Sequence, residues 1–335
     1  GKFKMAENSK LKILYILDIM KKSDEKHPLN TTDIKEKLKS YGISSERKSI
    51  SRDLQCLEDA GYTIVKCENH NDGWYMADQD FEDYELKMLV DSIAAAQFLT
   101  VDDSRRIIKK LKKLATRDGE RLIDATMIMD DQMKLLDKKF KFKFDTIMRA
   151  IADNVQISFQ YRDRDSSAKK LKYDGYVYNV SPYYIVLNNN EYYMLANSKI
   201  NNNITFYRIE MMENVNPLEE KSRPAKEIEE LKNIGSNKSI GDFLRESVHF
   251  WSGDSVSVTL EGYNGIRDNL TKKFGHGITI RDDGEDKFKA RVNVVPDEGF
   301  YQWVSSYSDN IKVAGPQDVV DGFKGYLRRT LEQYE

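Results

Sequence analysis

Four side chains between residues 161 and 208 carry the most ligand chemistry in this sequence: Tyr161, Tyr192, Tyr193 and Arg208. Phenol rings offer flat faces for stacking, and a guanidinium donates a planar fork of hydrogen bonds. Together they suit a flat or anionic ligand. Nine of the 19 tyrosines fall between residues 161 and 207, more rings than a small core consumes, so several are expected to be exposed or half-exposed. A second group lies upstream, where Ser45, Arg47, Lys48, Ser49, Ser51, Arg52 and Gln55 supply the donors that phosphates and base edges accept. No comparable set supports catalysis. His27, His70, His249 and His276 are scattered, and there is no His-Glu-x-x-His, no Gly-x-Ser-x-Gly and no phosphate-cradling glycine loop. Asp72-Gly73 and Asp282-Asp283-Gly284 read as turns, without the spacing of a calcium loop. The expectation is therefore a non-enzyme with no cofactor and no metal.

The upstream donors need a helix to aim them. Leu11, Ile13, Leu14, Ile16, Leu17 and Met20 mark an apolar first helix, and Asn30-Thr31-Thr32 supplies cap chemistry for a second that stops at Tyr41-Gly42. Ser44-Ser45 opens a third helix reaching about Ala60, with Gly61 ending it. At 100° per residue Ile50, Leu54 and Leu57 fall within roughly 60° of one another, and Ser45, Lys48, Arg52 and Gln55 fall opposite. Residues 62–66 and 74–76 are short β-rich runs around a loop from Glu68 to Gly73. Three helices and a hairpin describe a winged helix-turn-helix, whose third helix carries donors toward a major groove.

Residues 81–144 read as a helical connector, with Leu86, Leu89, Val90 and Ile93, then Ile107, Ile108, Leu111 and Leu114, recurring at helical spacing. The run Arg105–Lys113 invites a nucleic-acid reading, but its apolar residues fit a buried stripe, which leaves its lysines as the solvated face. Lys138–Lys143 alternates lysine with phenylalanine and marks the edge of the next domain. A helix through Ile147, Met148 and Ile151 then leads to Val155–Arg162, where Val155, Ile157, Phe159 and Tyr161 alternate with polar residues as on a half-buried strand. Runs at 176–180, 183–187, 192–196 and 204–209 follow, with Asn188-Asn189-Asn190 as a turn. Five short strands after one helix suggest a small barrel of the Sm or SH3 type. Beyond Pro217 the order strand, helix, strand, strand, helix, strand, with a final helix from Pro316, suggests a ferredoxin-like sandwich in which Trp303 is a core residue.

Length and charge bound these readings. The chain has 335 residues, 40% of them hydrophobic, enough for several cores, and a net charge of -2 at pH 7. Any contact with nucleic acid must therefore be a local patch. Residues 1–66 hold 14 Lys/Arg against 10 Asp/Glu, a modest local excess. Two cysteines, Cys56 and Cys67, exclude a disulfide scaffold and fit no zinc spacing, so both are expected to be buried apolar groups. No apolar run approaches 18 residues, and a cytoplasmic protein, nucleoid-associated when bound to DNA, is expected.

Two resemblances sharpen the picture. Gly42 to Leu54, with Leu57 and Gly61, resembles DeoR-type bacterial regulators, which implies that Lys48, Ser49, Ser51 and Arg52 approach DNA while Asp53 orients a neighbouring basic side chain. Residues 155–218 resemble a WYL domain, and the whole chain resembles WYL-domain bacterial transcriptional regulators. The namesake Trp-Tyr-Leu falls on Tyr192-Tyr193-Met194, its preceding proline on Pro182, and the closing Phe/Tyr-Arg-x-Asp-Arg pattern on Tyr207-Arg208-Ile209-Glu210-Met211. Tyr192 replaces the family's tryptophan and Met211 its second arginine, removing one positive charge from the expected pocket. The resemblance implies an α+β multidomain chain: a winged helix-turn-helix at 1–80, the connector at 81–144, a ligand-sensing WYL barrel at 145–218, and at 219–335 a C-terminal extension of the WCX type serving subunit pairing or ligand response. It implies a homodimeric regulator that binds double-stranded operator DNA through residues 44–55 and senses a nucleotide or nucleic-acid-like ligand through Tyr161, Tyr192, Tyr193 and Arg208, with no membrane partner. The alternative is a non-catalytic accessory protein of a CRISPR or anti-phage system that grips single-stranded nucleic acid, aided by Arg162, Arg164, Lys169, Lys170 and Lys172.

Overall fold

The computed structural model describes residues 2–67, 73–162, 171–198, 203–232, 240–246 and 255–335. They form a mixed α and β chain that divides into two compact units, residues 1–138 and 139–335. The loop residues 68–72, Arg164, Lys169, Lys170, His249 and the run 250–253 lie outside the described residues.

The first unit opens with α1 (Lys2–Met20), α2 (Thr31–Ser40) and α3 (Arg47–Asp59), followed by a two-stranded antiparallel pair, β1 (Ile64–Lys66) and β2 (Trp74–Met76). Asn30 caps α2, its side chain accepting from the Thr32 and Asp33 amides, while the Asp33 carboxylate accepts from the Asn30 amide. This reciprocal box is worth about 1 kcal/mol. Gly42 (φ 75°) and Gly61 (φ 99°) end α2 and α3 in the left-handed region. In both places the next amide reaches back five residues, Ile43 to Leu38 and Tyr62 to Leu57, each at 3.0 Å. That bond closes a Schellman motif and fixes where the chain leaves each helix. Ile16 and Met20, Ile34 and Leu38, and Ile50 and Leu54 meet in one core between the three helices.

The unit continues with α4 (Asp83–Ala95), α5 (Val101–Lys112) and α6 (Arg117–Thr126). Leu86, Val90, Ile108 and Ile123 form their shared core, whereas Leu89 and Leu114 of the expected stripe are exposed. The buried Lys134 ammonium donates to the Ile93 and Ala96 carbonyls at 2.9 and 2.8 Å, closing the end of α4, and burial holds its pKa below the usual lysine value.

The second unit begins with α7 (Phe140–Asp153), ended by Asn154 in a left-handed conformation that asparagine tolerates. A five-stranded antiparallel sheet follows: β3 (Val155–Tyr161), β4 (Val177–Asn188), β5 (Glu191–Ser198), β6 (Ile204–Arg208) and β7 (Met212–Lys221), in the order β6-β5-β4-β3-β7. The strand count agrees with the sequence reading, but its composition does not. The runs at 176–180 and 183–187 are one strand, bent by an irregularity between Pro182 and Tyr184 that accommodates the missing proline amide. The fifth strand is β7, which reads as polar and charged because it lies at the sheet edge with most side chains exposed. It runs past residue 218, the expected domain limit. Asn189 and Asn190 both take positive φ (48° and 62°), the turn that a two-residue hairpin needs.

After α8 (Ile240–Glu246) come β8 (Val256–Tyr263), α9 (Arg267–Phe274), β9 (Thr279–Asp282), β10 (Lys287–Val294), α10 (Glu298–Ser305), β11 (Ile311–Gly315) and α11 (Gln317–Leu331). The element order is the one expected, and the antiparallel sheet runs β11-β8-β10-β9. Along β10 every second residue is buried (Phe288, Ala290, Val292 and Val294), so one face packs under the helices and the other meets solvent. Trp303 is partly buried on this core, edge-on to Phe274. Among the described residues no helix is long and apolar enough to cross a membrane.

Candidate nucleic-acid interface and ligand face

Helix α3 is two-faced. Ile50, Leu54 and Leu57 are at most 4% exposed and lie against α1 and α2. Arg47, Lys48, Ser51, Arg52 and Gln55 are exposed and occupy an arc of about 140° on the opposite side. Among the described residues no ion pair engages Arg47, Lys48 or Arg52, so their charges face solvent. Gln55 Nε2 donates to Asp59 Oδ1 at 3.3 Å, and the Ser51 hydroxyl donates to the Arg47 carbonyl.

Two residues expected on that face are elsewhere. Ser45 is buried, because the helix begins at Arg47 with Glu46 as its cap; a residue before the first turn does not follow the helical period. Ser49 sits on the flank toward α1, where Lys12 Nζ donates to its hydroxyl at 2.5 Å. The same ammonium lies 2.7 Å from Asp53 Oδ2, with side-chain exposures of 9% and 15%. That oxygen has no well-aligned hydrogen bond, so the contact is chiefly ionic. Asp53 thus does orient a basic side chain, and the partner comes from α1 rather than from α3. The pair locks the angle at which α3 presents its donors. Cys56, expected to be buried, is exposed on α3, and Cys67 is half-buried. Cys56 lies one residue before Leu57, off the apolar stripe, where size and polarity give no cue.

The four expected ligand residues do not converge as a single open pocket. Tyr192 and Tyr193 are neighbours on β5 and point to opposite faces, as strand geometry requires. Tyr192 turns toward α7 and packs edge-on to Phe144, ring centres 4.8 Å apart. Tyr193 pairs across the sheet with Arg208 and donates its phenol to Glu191 Oε2 at 2.6 Å. Arg208 is already neutralised: its Nη2 lies 2.7 Å from Glu191 Oε1 and 2.7 Å from Glu210 Oε2. Tyr161 meets the backbone of the same residue, its phenol oxygen accepting from the Arg208 amide at 3.0 Å. Its ring lies edge-on to Phe159, Tyr178 and Tyr207. Burial pushes the Tyr207 phenol up to about 12, whereas Tyr161 and Tyr178 beside it are half-buried and keep part of their rings at the surface.

A second charged cluster escaped the sequence reading. Lys143 and Arg162 both approach Glu213 Oε1, at 3.7 and 3.3 Å, and both donate to the Glu210 carbonyl. Lys143 is buried because α7 puts it beside Phe140 and Ile147, whereas the Lys-Phe alternation of 138–143 reads only as the edge of the next domain. Arg162 is therefore turned into the domain, away from a nucleic-acid strand. Among the described residues no group of His, Cys, Asp and Glu could hold a metal ion.

Residues 143–217, from the buried Lys143 into β7, match the WYL domain. The chain carries a WYL domain. The match begins inside α7 (Phe140–Asp153), covers β3 to β6 and ends within β7 (Met212–Lys221). No curated protein matches the chain. Among solved structures, the proteasome accessory factor B/C (PafBC) of Arthrobacter aurescens is 18% identical with a TM-score of 0.29, over 90% of this chain and 46% of its own. The chain thus spans less than half the length of that protein. A structure described as a CRISPR Cas-related protein is 14% identical with a TM-score of 0.37, over 97% of this chain and 85% of its own. Scores this low carry no argument about arrangement or activity.

Proposed function

We propose that this WYL-domain protein is a DNA-binding transcriptional regulator in which α3 is the recognition helix. The observation that carries the reading is the open basic arc of α3, with Arg47, Lys48, Ser51, Arg52 and Gln55 exposed above a packed apolar back. Charged side chains fixed on a rigid helix suit phosphate positioning and base-edge readout. We read the first three helices with β1 and β2 as a winged helix-turn-helix, the five-stranded sheet as an open small barrel, and the β11-β8-β10-β9 sheet with its helices as a ferredoxin-like sandwich of the WCX type. Pairing of two chains would match two half-sites of a palindromic operator.

In this reading the Tyr161–Tyr193–Arg208 face is the sensor, and Glu191 and Glu210 hold its arginine in the absence of ligand. A nucleotide-like anion would take over that guanidinium and displace the carboxylates, and the difference in contacts is what a ligand needs to shift an equilibrium. The alternative of a single-strand-gripping accessory protein loses support from Arg162, which is engaged with Glu213 and the Glu210 carbonyl. The test is an electrophoretic mobility shift with the chain's own promoter duplex. Arg52→Ala and Lys48→Ala are expected to weaken binding by roughly 1–3 kcal/mol each if they reach base edges. Equal affinity of both variants and the parent for every duplex would overturn the assignment of α3.

A further inference from the structure

The basic run of α5 is not evenly solvated. Arg105, Lys109 and Lys112 lie at i, i+4 and i+7, one stripe of the helix, and Lys113 follows at its end. They border a cavity of about 1110 Å³ within the first unit, which Lys22 enters from the end of α1. Its volume is slightly above the usual range for small-molecule sites. Its apolar lining is Ile108, Met127, Ile128 and Met129. Met127 and Met129 pack on the core of α4–α6, while Ile128 is 85% exposed, a large apolar side chain left facing solvent at the cavity.

The charges do not balance. Five cations line the cavity against three carboxylates, Glu120, Asp130 and Asp131. Arg105 is paired with Asp131 at 2.7 Å, and Lys112 with Asp124 at 2.6 Å and Glu120 at 3.7 Å. Lys22 Nζ donates to the Lys113 and Ala115 carbonyls, both at 2.8 Å. Lys109 and Lys113 are exposed and engage no acid among the described residues. A merely solvated helix face has no need of an apolar cavity beside its unpaired ammonium groups.

We propose that this cavity binds a small anion of the nucleotide class, separate from the sensing face of the WYL domain. Lys109 and Lys113 hold the phosphates by charge-assisted hydrogen bonds, and the thioethers of Met127 and Met129, with Ile128, cover the flat base. The site borders the Lys22 link between α1 and α5. Occupancy therefore bears on the helices that present α3.

The test uses the full chain and a trinitrophenyl derivative of ATP, whose fluorescence rises on binding, with unlabelled ATP as competitor and no added metal. Lys109→Glu with Lys113→Glu is expected to weaken binding about tenfold or more, since two charge-assisted contacts are lost. Ile128→Asp, at an exposed position that the fold does not need, weakens it by about fivefold. Lys110→Glu, exposed on the same helix but outside the cavity, leaves it unchanged. Absence of saturable binding overturns the proposal. So does equal weakening by Lys110→Glu, which indicates diffuse attraction. Displacement of the probe by a single-stranded oligonucleotide but not by ATP also overturns it, identifying a backbone track instead.

Discussion

Replacing Lys12 by methionine tests whether a buried charge pair sets the position of α3 against α1. Methionine keeps the apolar stem of the lysine and removes only its ammonium. Asp53, 15% exposed, then keeps a carboxylate facing α1 with its partner gone, and the Ser49 hydroxyl loses its donor. Removing one member of a fully buried pair costs about 3–5 kcal/mol; residual solvent access at Asp53 reduces that to roughly 2–4 kcal/mol. The cost falls on the packing of α1 against α3, so the local opening of residues 47–59 is the quantity to follow. Amide hydrogen exchange read by mass spectrometry measures it directly, and a loss near 3 kcal/mol accelerates exchange by about 150-fold where opening is a pre-equilibrium and closing is faster than exchange of the open amide. The double variant Lys12→Met with Asp53→Leu removes both charges and keeps two apolar side chains of similar volume. It is expected to recover most of the lost protection. If the double variant exchanges as fast as the single one, burial of charge is not the cause and the reasoning fails.

Three further outcomes are expected. Arg208→Ala leaves duplex affinity within about twofold, because the residue is not on α3, and abolishes the shift caused by a ligand bound at the WYL sheet; a parallel loss of duplex binding would break that division. Gly61→Ala destabilises the first unit by roughly 1–2 kcal/mol in denaturant unfolding, since its Cβ meets open space and only φ 99° opposes it. Burial raises the Glu230 carboxyl above its ordinary 4.5, partly offset by a hydrogen bond from the Ile204 amide. The folded chain therefore holds that proton more tightly than the unfolded one. The resulting stability is present below the ordinary value and declines as pH rises through the raised one. Glu230→Gln should remove this decline, giving a gain over the parent at pH 7 that vanishes near pH 4.

Much of the fold was legible because its signals are local. Asn30, Gly42 and Gly61 delimit α2 and α3 through capping chemistry that depends on a few neighbouring residues, and the Asn-Asn turn declares the β4–β5 hairpin. The C-terminal order followed from alternation as clean as that of β10. Strand β7 was not legible, since an exposed edge strand has no apolar face to betray it. Pro182 reads as a break, yet its missing amide sits at an irregularity inside one continuous strand. Charge pairing was the least legible. Lys12 with Asp53, Lys143 with Glu213 and Arg208 with Glu191 join residues 41, 70 and 17 positions apart, and only the packed elements bring them together. For the same reason Arg208, which reads as an open anion receptor, is found clamped between two carboxylates.

The central claim is that α3 reads double-stranded DNA. Fluorescence anisotropy with the upstream promoter duplex, and with one of its strands at equal length, at two salt concentrations measures this most directly. Tight, sequence-dependent duplex binding that weakens with salt is expected, with a salt slope reduced by about one for Arg52→Ala if that side chain meets a phosphate. Preference for the single strand, with duplex binding indifferent to sequence and to Arg52, would contradict it.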